Sequence, residues 1–256
     1  METSKQNHFS SKELLSYYEN EAEEVPIFGS LREISLAENI IRALPFANAK
    51  GGKIIDIGCG EGYLLYKIHE KYPQAELYGL DLSQGRITKT KEHVPVSNLL
   101  RGDVLSLPFP DNSFDIVVCS ELLEHMDAYK KVVDELVRIS KKTIIITVPN
   151  ELKLVSVMCP KCQTKHYLDE HVNFFTAKKL KEIFEKKQEI ESKRVKIKKF
   201  HSIYTYNRLT MRFPLFVRIM LDQTLQKFHQ KISFLKPNFL LLSVEKKIEK
   251  RKEDNK

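Results

Sequence analysis

The sequence predicts an α/β fold built on a mostly parallel sheet with helices on both faces. From residue 53 onward, short apolar runs alternate with segments whose apolar residues recur at helical spacing, and this alternation is typical of parallel sheets. A turn rich in glycine follows the first apolar run directly. The predicted strands are 53–57, 76–81, 98–101, 114–119 and 143–148, and the predicted helices between them are 62–72, 83–93 and 127–140.

Further elements flank this core. Ser30 and Glu33 have the spacing of a capping box, which predicts a helix that ends at Pro45. Thr176 is a good N-cap for a helix over 176–187. Two late strands are predicted at 193–199 and 239–244.

The glycine turn has the form Asp-x-Gly-x-Gly-x-Gly, with Asp56 inside the strand end and glycines at 58, 60 and 62. Glycines let the backbone approach a ligand closely. A dinucleotide fingerprint needs a glycine at its sixth position, where this chain has Tyr63, and a P-loop needs a Gly-Lys-Ser/Thr ending that is absent here. Because a carboxylate repels pyrophosphate, the turn favours a ligand that carries a positive charge or an amino group.

Acidic residues stand at the ends of the next two predicted strands. Asp81 follows the glycine turn by about twenty residues, where an acid accepts hydrogen bonds from both hydroxyls of a ribose. Asp103 ends the third strand, and it could accept a hydrogen bond from an adenine amino group, with Val104 against the ring. The carboxyl ends of neighbouring strands form the ligand edge of an open α/β sheet, so these groups are expected in one pocket.

These segments, in this order and spacing, resemble the class I S-adenosylmethionine (SAM)-dependent methyltransferases over about residues 50–150. The resemblance implies a Rossmann-like, seven-stranded, mostly parallel sheet whose last strand is antiparallel. It implies SAM as cofactor and the following binding residues: Asp56, Gly58, Cys59, Gly60, Gly62, Asp81, Leu82, Asp103, Val104 and Ser120.

The fourth predicted strand ends in a cluster of ionisable side chains, Glu121, Glu124 and His125. If a helical turn starts at Glu121, the other two residues lie beside it at i+3 and i+4. Methyl transfer to oxygen requires removal of the hydroxyl proton, and an imidazole is a suitable general base. These three residues are therefore the predicted catalytic groups. A second interpretation is that the glutamates only favour the start of a helix.

The Glu-x-x-Glu-His segment resembles two branches of the family. One contains small-molecule O-methyltransferases of the ubiquinone-biosynthesis type (methyltransferase type 11). The other contains RNA 3′-terminal 2′-O-methyltransferases, in which two Glu and two His bind a divalent metal; there the second histidine would be His171. The expected activity is SAM-dependent O-methylation of a small-molecule or lipid-like acceptor. The alternatives are the metal-dependent RNA activity and a non-catalytic SAM-binding protein.

A second candidate metal site follows the fifth predicted strand. Cys159, Cys162, His166 and His171 have a spacing that can chelate Zn²⁺ tetrahedrally. Two reduced cysteines in a loop are the other interpretation. His171 cannot serve both this zinc site and the Glu121/Glu124/His125 site.

The basic character of the chain is concentrated in its last third. The net charge is +8, but residues 1–177 hold 20 Lys/Arg against 25 Asp/Glu, whereas residues 178–256 hold 22 against 9. An anionic membrane surface, a nucleic acid or an acidic substrate is therefore an expected partner. A solvated lysine-rich surface is the alternative interpretation.

The expected organisation has five parts: an N-terminal helical lid at 1–45, the core at 46–206, a basic apolar helical insertion at 207–237, the final strand at 238–245 and a disordered basic tail at 246–256. The insertion could face a membrane or pack on its own domain or a second subunit. The four cysteines do not form a secreted disulfide framework, and no apolar signal region or 18-residue apolar run occurs. A cytoplasmic location is expected, with peripheral attachment at a membrane as the alternative.

Overall fold

The computed structural model of the protein describes residues 28–45, 52–150, 156–158, 165–167, 171–200 and 239–247. Five helices lie in these ranges: α1 (Leu31–Ala43), α2 (Tyr63–Lys71), α3 (Gln84–His93), α4 (Tyr129–Ile139) and α5 (Ala177–Glu185). The strands are β1 (Lys53–Ile57), β2 (Glu76–Asp81), β3 (Asn98–Arg101), β4 (Phe114–Ser120), β5 (Ser140–Pro149), β6 (Ser156–Met158), β7 (Lys165–Tyr167), β8 (Ile190–Phe200) and β9 (Phe239–Lys246). Each predicted strand is present, as are the predicted helices that end at Pro45 or span 62–72, 83–93, 127–140 and 176–187.

Seven strands form one sheet in the order β3-β2-β1-β4-β5-β9-β8. Strands β1 to β5 pair in parallel, and β9 pairs antiparallel to both β5 and β8. The predicted fold class, with its antiparallel last strand, is confirmed. The order reverses at β1 and β4, which are neighbours; in open α/β sheets such a reversal opens a crevice at the carboxyl ends of the strands.

Both faces of the sheet are buried, which explains why the central strands read as continuous apolar runs. Successive side chains of a strand point to opposite faces. Ile55 and Ile57 belong to the hydrophobic cluster that includes α4 and α5, whereas Ile54 belongs to the cluster that includes α1 and α2. The glycine turn is therefore fixed between two packed layers.

Helix α1 begins with the predicted capping box. Ser30 Oγ accepts a hydrogen bond from the Glu33 backbone N–H (3.3 Å), and Glu33 Oε2 accepts one from the Ser30 N–H (3.4 Å). The helix ends at Ala43, just before Pro45, because a proline disfavours helical geometry in the residue that precedes it.

Other predicted regions lie largely outside the described residues, including the insertion at 207–237 and the loop with Cys159 and Cys162. Strand β9 runs to Lys246, which the sequence analysis placed in the tail. The Lys246 ammonium donates to Asn112 Oδ1, Val137 O and Ser140 O, so this residue belongs to the core. None of the helices in the described ranges has the length and apolar character needed to cross a membrane.

Candidate functional site

The glycine turn after β1 takes backbone conformations that favour glycine. Gly58, Gly60 and Gly62 have φ values of 77°, 56° and 85°, which L-side chains rarely adopt. A Cβ added at Gly62 would lie 2.6 Å from Thr90 Cγ2, whereas one at Gly60 would meet only Arg86 Nη1, at 4.0 Å. Gly62 is therefore needed for packing against α3, while Gly60 leaves open space where a ligand can approach the backbone.

Asp81 holds this turn in place. Its Oδ2 accepts a hydrogen bond from the Gly60 N–H and its Oδ1 accepts one from the Ser83 N–H, both at 2.9 Å. A carboxylate has about four acceptor positions, so each oxygen retains capacity for a ligand hydroxyl. The sequence analysis predicted the ligand role of Asp81 and missed its role in the turn.

Asp56 is buried under the turn at 3% exposure. Its Oδ1 accepts no hydrogen bond from any residue in the part of the chain that the structure describes. Burial, reinforced by the negative charge of Asp81, raises the pKa of Asp56 to about 7. Because a buried polar atom is normally paired, Asp56 Oδ1 is suited to bind a donor group of a ligand.

The other predicted cofactor residues differ in their exposure and in the groups that a ligand could contact. Asp103 is exposed, and its Oδ1 caps the following turn by accepting the Leu105 N–H (2.9 Å); Val104 is buried beside it and Leu82 is half-buried. Cys59 packs into the core, burial raises the pKa of its thiol, and its backbone N–H donates to Leu80 O (3.0 Å). Only the backbone of Cys59 can therefore border a ligand.

Glu121, the residue after β4, has a left-handed backbone with φ 52°. Its backbone N–H donates to Thr147 O at 3.0 Å, and its carboxylate accepts a 2.6 Å bond from Arg32 Nη2. No helical turn starts at Glu121; the first turn after β4 is a short 3-10 helix, Leu123–His125. The carboxyl ends of β4 and β5 fix the Glu121 backbone in another conformation.

The Glu121 side chain is only 10% exposed, and its carboxylate is paired with Arg32. Burial raises the pKa of Glu121, and the charge and hydrogen bond of Arg32 oppose this rise, as does a hydrogen bond from Thr147. Thr147 Oγ1 also lies 2.7 Å from Ser120 Oγ. The sequence analysis did not predict that Arg32 and Thr147 contact Glu121. The positive charge of Arg32, next to the capping box, was the one signal in the sequence for a pair with a carboxylate.

Glu124, His125 and His171 come together at this edge of the sheet. One ligand atom from each lies within 4.8 Å of the others, and the rings of His125 and His171 meet at 74° with centroids 5.0 Å apart. Glu124 and His171 are buried, and His125 is half-buried. The predicted catalytic residues Glu124 and His125 thus lie with His171, while Glu121 is directed to Arg32.

The predicted zinc set is divided. Cys159 and Cys162 lie outside the described residues, and His166 lies in β7. His171 is placed with Glu124 and His125. A zinc site that includes the two cysteines therefore stays a prediction.

A family model and curated relatives match the central part of this chain. Residues 55–146 match the family model "Methyltransferase domain". A demethylmenaquinone methyltransferase from Geobacillus kaustophilus is 30% identical over 116 residues, which cover 43% of this chain and 49% of the relative. The chain spans less than half the length of the first curated relatives that it matches.

Solved structures with low sequence identity share the fold. A SAM-dependent methyltransferase from Thermotoga maritima, described as a possible histamine N-methyltransferase, has a TM-score of 0.59 at 15% identity; the match covers 91% of this chain and 99% of that one. The [4+2]-cyclase SpnF has the same TM-score at 14% identity, with 94% and 98% covered. A cyclase among these neighbours illustrates that the fold alone does not determine the reaction.

The glycine turn, the acidic strand ends and the strand order lie within or beside the matched domain. Residues 55–146 are thus similar to a methyltransferase domain, and the chain shares the fold of solved SAM-dependent methyltransferases.

Proposed function

We propose that this protein transfers the methyl group of SAM to an oxygen atom of a small-molecule or lipid-like acceptor. The observation that carries the proposal is the adjacency of two half-sites. In the sheet, Ile57 at the end of β1 pairs with Cys119 near the end of β4. A Cβ added at Gly58 would lie 3.4 Å from Leu122, so the glycine turn and the segment after β4 are in contact.

The cofactor half-site fits SAM. Asp56 Oδ1 is a buried acceptor without a hydrogen bond in the described part of the chain, Gly60 leaves space for a ligand, and Asp81 and Asp103 stand at the next two strand ends. When bound, SAM supplies a methyl group on a positively charged sulfur. Asp56 and the glycine turn would hold its amino-acid part, Asp81 its ribose, and Asp103 with Val104 its adenine.

The acceptor half-site is Glu124, His125 and His171, beside Glu121. Holding an acceptor here, next to the cofactor, supplies much of the rate by proximity and alignment. The acceptor hydroxyl must also lose its proton as the new C–O bond forms, and titratable groups at the site serve that step. Glu121 helps to shape this edge through its contacts with Arg32 and Thr147.

The acceptor class is argued from the relatives and the charge distribution. The curated relative is named for a demethylmenaquinone substrate, which favours a small lipid-like molecule. The excess of Lys and Arg after residue 177 favours an anionic membrane surface as the place of action, because clustered basic residues are attracted to anionic lipids. A nucleic acid would be attracted by the same charge.

The test uses purified protein, SAM with a labelled methyl group, and fractionated cell extract. Transfer of label to the lipid or small-metabolite fraction is expected. His125→Ala should abolish transfer while SAM affinity, measured by calorimetry, stays unchanged. His69→Ala, on α2 away from the site, is the matched control and should keep full activity.

Each alternative predicts a different result. SAM binding without label transfer to any fraction would identify a non-catalytic SAM-binding protein. Label in RNA that requires a free 3′ end would identify the RNA activity. The RNA branch uses two glutamates as metal ligands, and here Glu121 already pairs with Arg32, so the RNA activity is the less supported alternative.

A further inference from the structure

We infer that residues 28–33, which lead into α1, position the two half-sites relative to each other, with Phe28, Arg32 and Glu61 as positioning residues. One end of this segment contacts the glycine turn, and the other end contacts the residue that follows β4. The effect of this connection on SAM affinity stands without the proposed function, whereas its effect on methyl transfer rests on that function.

Glu61, inside the glycine turn, is the contact at the first end. Its side chain is 4% exposed. Its carboxylate accepts hydrogen bonds from the Phe28 N–H (3.2 Å, at Oε2) and from Lys89 Nζ (2.9 Å, at Oε1), and His93 Nδ1 lies 2.8 Å from its carbonyl oxygen. The turn is therefore held both by α3, which carries Lys89 and His93, and by Phe28.

The Phe28 ring adds to this attachment. It contacts the rings of His93 (centroids 3.7 Å apart), Tyr63 (5.2 Å) and Tyr66 (5.8 Å), and contacts of this kind stabilise packing beyond the area that they bury. Gly29, in the turn that leads from Phe28 into α1, has a left-handed φ of 76°. The start of the segment is thus fixed on α2 and α3 as well as on the glycine turn.

Arg32 is the contact at the other end. It pairs with Glu121 at 2.6 Å, where the two side chains are 38% and 10% exposed. The Glu121 N–H donates to Thr147 O (3.0 Å), and Thr147 Oγ1 lies 2.7 Å from Ser120 Oγ. Arg32 is therefore connected with the carboxyl ends of β4 and β5, which include the predicted cofactor residue Ser120.

The segment between these two contacts is short and fixed. Ser30 and Glu33 form the capping box of the first turn of α1, and the helix packs into the hydrophobic cluster that also includes α2. Because Arg32 follows Phe28 by only four positions, a displacement at one contact is passed to the other. The position of the glycine turn and that of the segment after β4 should therefore depend on each other.

This dependence matters for methyl transfer because the reaction requires alignment. A misplacement of about 1 Å can cost about 100-fold in rate. The cofactor is expected on the turn that Phe28 contacts, and the acceptor beside Glu121, which Arg32 contacts. Residues 28–33 would then set the distance between the two molecules through Glu61 and Glu121.

The test is a double-mutant cycle on the affinity for SAM, measured by calorimetry with the full-length protein. Phe28→Ala removes the ring contacts at the first end, and Arg32→Met removes the charged pair at the second. Each single variant should bind SAM roughly five-fold or more weakly, and the double variant about as weakly as the weaker single variant, since effects that act through one shared element do not add. Arg32→Lys, which keeps the positive charge, should recover most of the affinity.

The matched control cycle combines Phe28→Ala with Arg42→Met, which alters an exposed pair on the same helix. Arg42→Met should leave SAM affinity unchanged, alone and in combination. Circular dichroism checks that each variant is folded, and Phe28→Leu or Arg32→Gln replaces one that is not. The inference would be overturned by unchanged SAM affinity in both single variants, by losses that multiply in the double variant, or by absence of SAM binding in the unaltered protein.

Methyl transfer, assayed in parallel at saturating SAM, separates this inference from the proposed function. In Arg32→Met, kcat should fall roughly ten-fold or more and recover in Arg32→Lys; an unchanged kcat would refute the effect on transfer. Coupled losses of SAM affinity without transfer by the unaltered protein would leave the connection standing and refute the proposed function. Transfer by the unaltered protein with independent losses in the cycle would support the proposed function and refute the connection.

Discussion

Arg32 Nη2 lies 2.6 Å from Glu121 Oε2 and joins two parts of the chain that are 89 residues apart. Arg32 belongs to α1, the described part of the predicted N-terminal lid, and Glu121 directly follows β4. Glu121 also has a left-handed backbone, a conformation that costs roughly 1–3 kcal/mol and often occurs at functional sites. A charged pair thus connects the N-terminal helix to the carboxyl end of β4.

Replacing Arg32 tests the strength of this connection. Arg32→Met keeps much of the side-chain length but leaves the buried Glu121 carboxylate without its cation. We expect the free energy of unfolding at pH 8, measured with urea, to fall by about 1–3 kcal/mol. Hydrogen exchange along α1 should also accelerate.

The matched control is Arg42→Met on the same helix, where Arg42 pairs with Glu38 at the surface. Exposed pairs contribute about 0–1 kcal/mol, so this variant should be nearly neutral. Equal losses of unfolding free energy in the two variants would show that the Arg32–Glu121 pair stabilises the protein no more than an exposed pair does.

Asp56 should make stability depend on pH. Its pKa is about 7 in the folded protein, against 3.8 ordinarily, so the folded state holds the proton more tightly than the unfolded state. This stabilisation is complete below pH 3.8 and is lost as the pH rises through 7. Because Asn mimics the protonated group, Asp56→Asn should be more stable than the unaltered protein at pH 8, by a margin that shrinks as the pH falls.

Urea unfolding between pH 5 and pH 8 measures that margin, and Asp111→Asn at an exposed site is the control. At pH 8, Asp56→Asn should also bind SAM roughly ten-fold or more weakly, since a charge-assisted hydrogen bond is lost. A margin that is independent of pH would mean that Asp56 does not titrate as described.

Gly62 is predicted to tolerate no side chain. Gly62→Ala places a Cβ 2.6 Å from Thr90 Cγ2 at a φ of 85°, so overpacking and backbone strain together should cost roughly 2–5 kcal/mol of unfolding free energy. Adding Thr90→Ser removes Cγ2 and keeps the hydroxyl that bonds Gly60 O, and this should restore part of the stability.

Gly60→Ala is the informative comparison, because its new methyl group meets open space. Its stability should fall less than that of Gly62→Ala, while its affinity for SAM falls through loss of ligand space. Both quantities come from thermal unfolding with and without SAM. Unchanged SAM affinity in Gly60→Ala would place the ligand elsewhere.

Asp81→Asn tests the anchoring of the glycine turn. An amide nitrogen in place of one carboxylate oxygen would face either the Gly60 N–H or the Ser83 N–H, donor against donor. A stability loss of about 1–3 kcal/mol is expected, with weaker SAM binding because the turn moves. Asp111→Asn, measured by the same urea unfolding, should show neither effect.

The sequence predicted those features that depend on local pattern. The apolar run Ile54–Ile57 and the glycines that follow it were sufficient to place β1 and the glycine turn, because strand burial and positive φ each leave a direct signature in residue type. The positions of Asp56 and Asp81 near the ends of β1 and β2 followed from the strand bounds, which the apolar runs predicted.

Features that depend on contacts between distant segments could not be predicted in this way. No local pattern pairs Arg32 with Glu121, and the hydrogen bond from the Glu121 N–H to Thr147 O overrides the helical spacing of Glu121, Glu124 and His125. The sequence left open whether His171 belongs to the zinc site with the two cysteines or to the site with Glu124 and His125. Backbone contacts to Glu124, which residue types do not encode, decide its position.

The contacts to Glu124 also affect how freely the chain before His171 can change. Asn150, directly after β5, forms a bridge with Phe175, and the Val172 and Asn173 N–H groups donate to the Glu124 carbonyl. Because these contacts lie on both sides of residues 151–170, changes in the length or sequence of that segment need not displace His171. If the proposed function holds, the sequence of residues 151–170 can vary with the acceptor while Glu124 and His171 keep their relative positions.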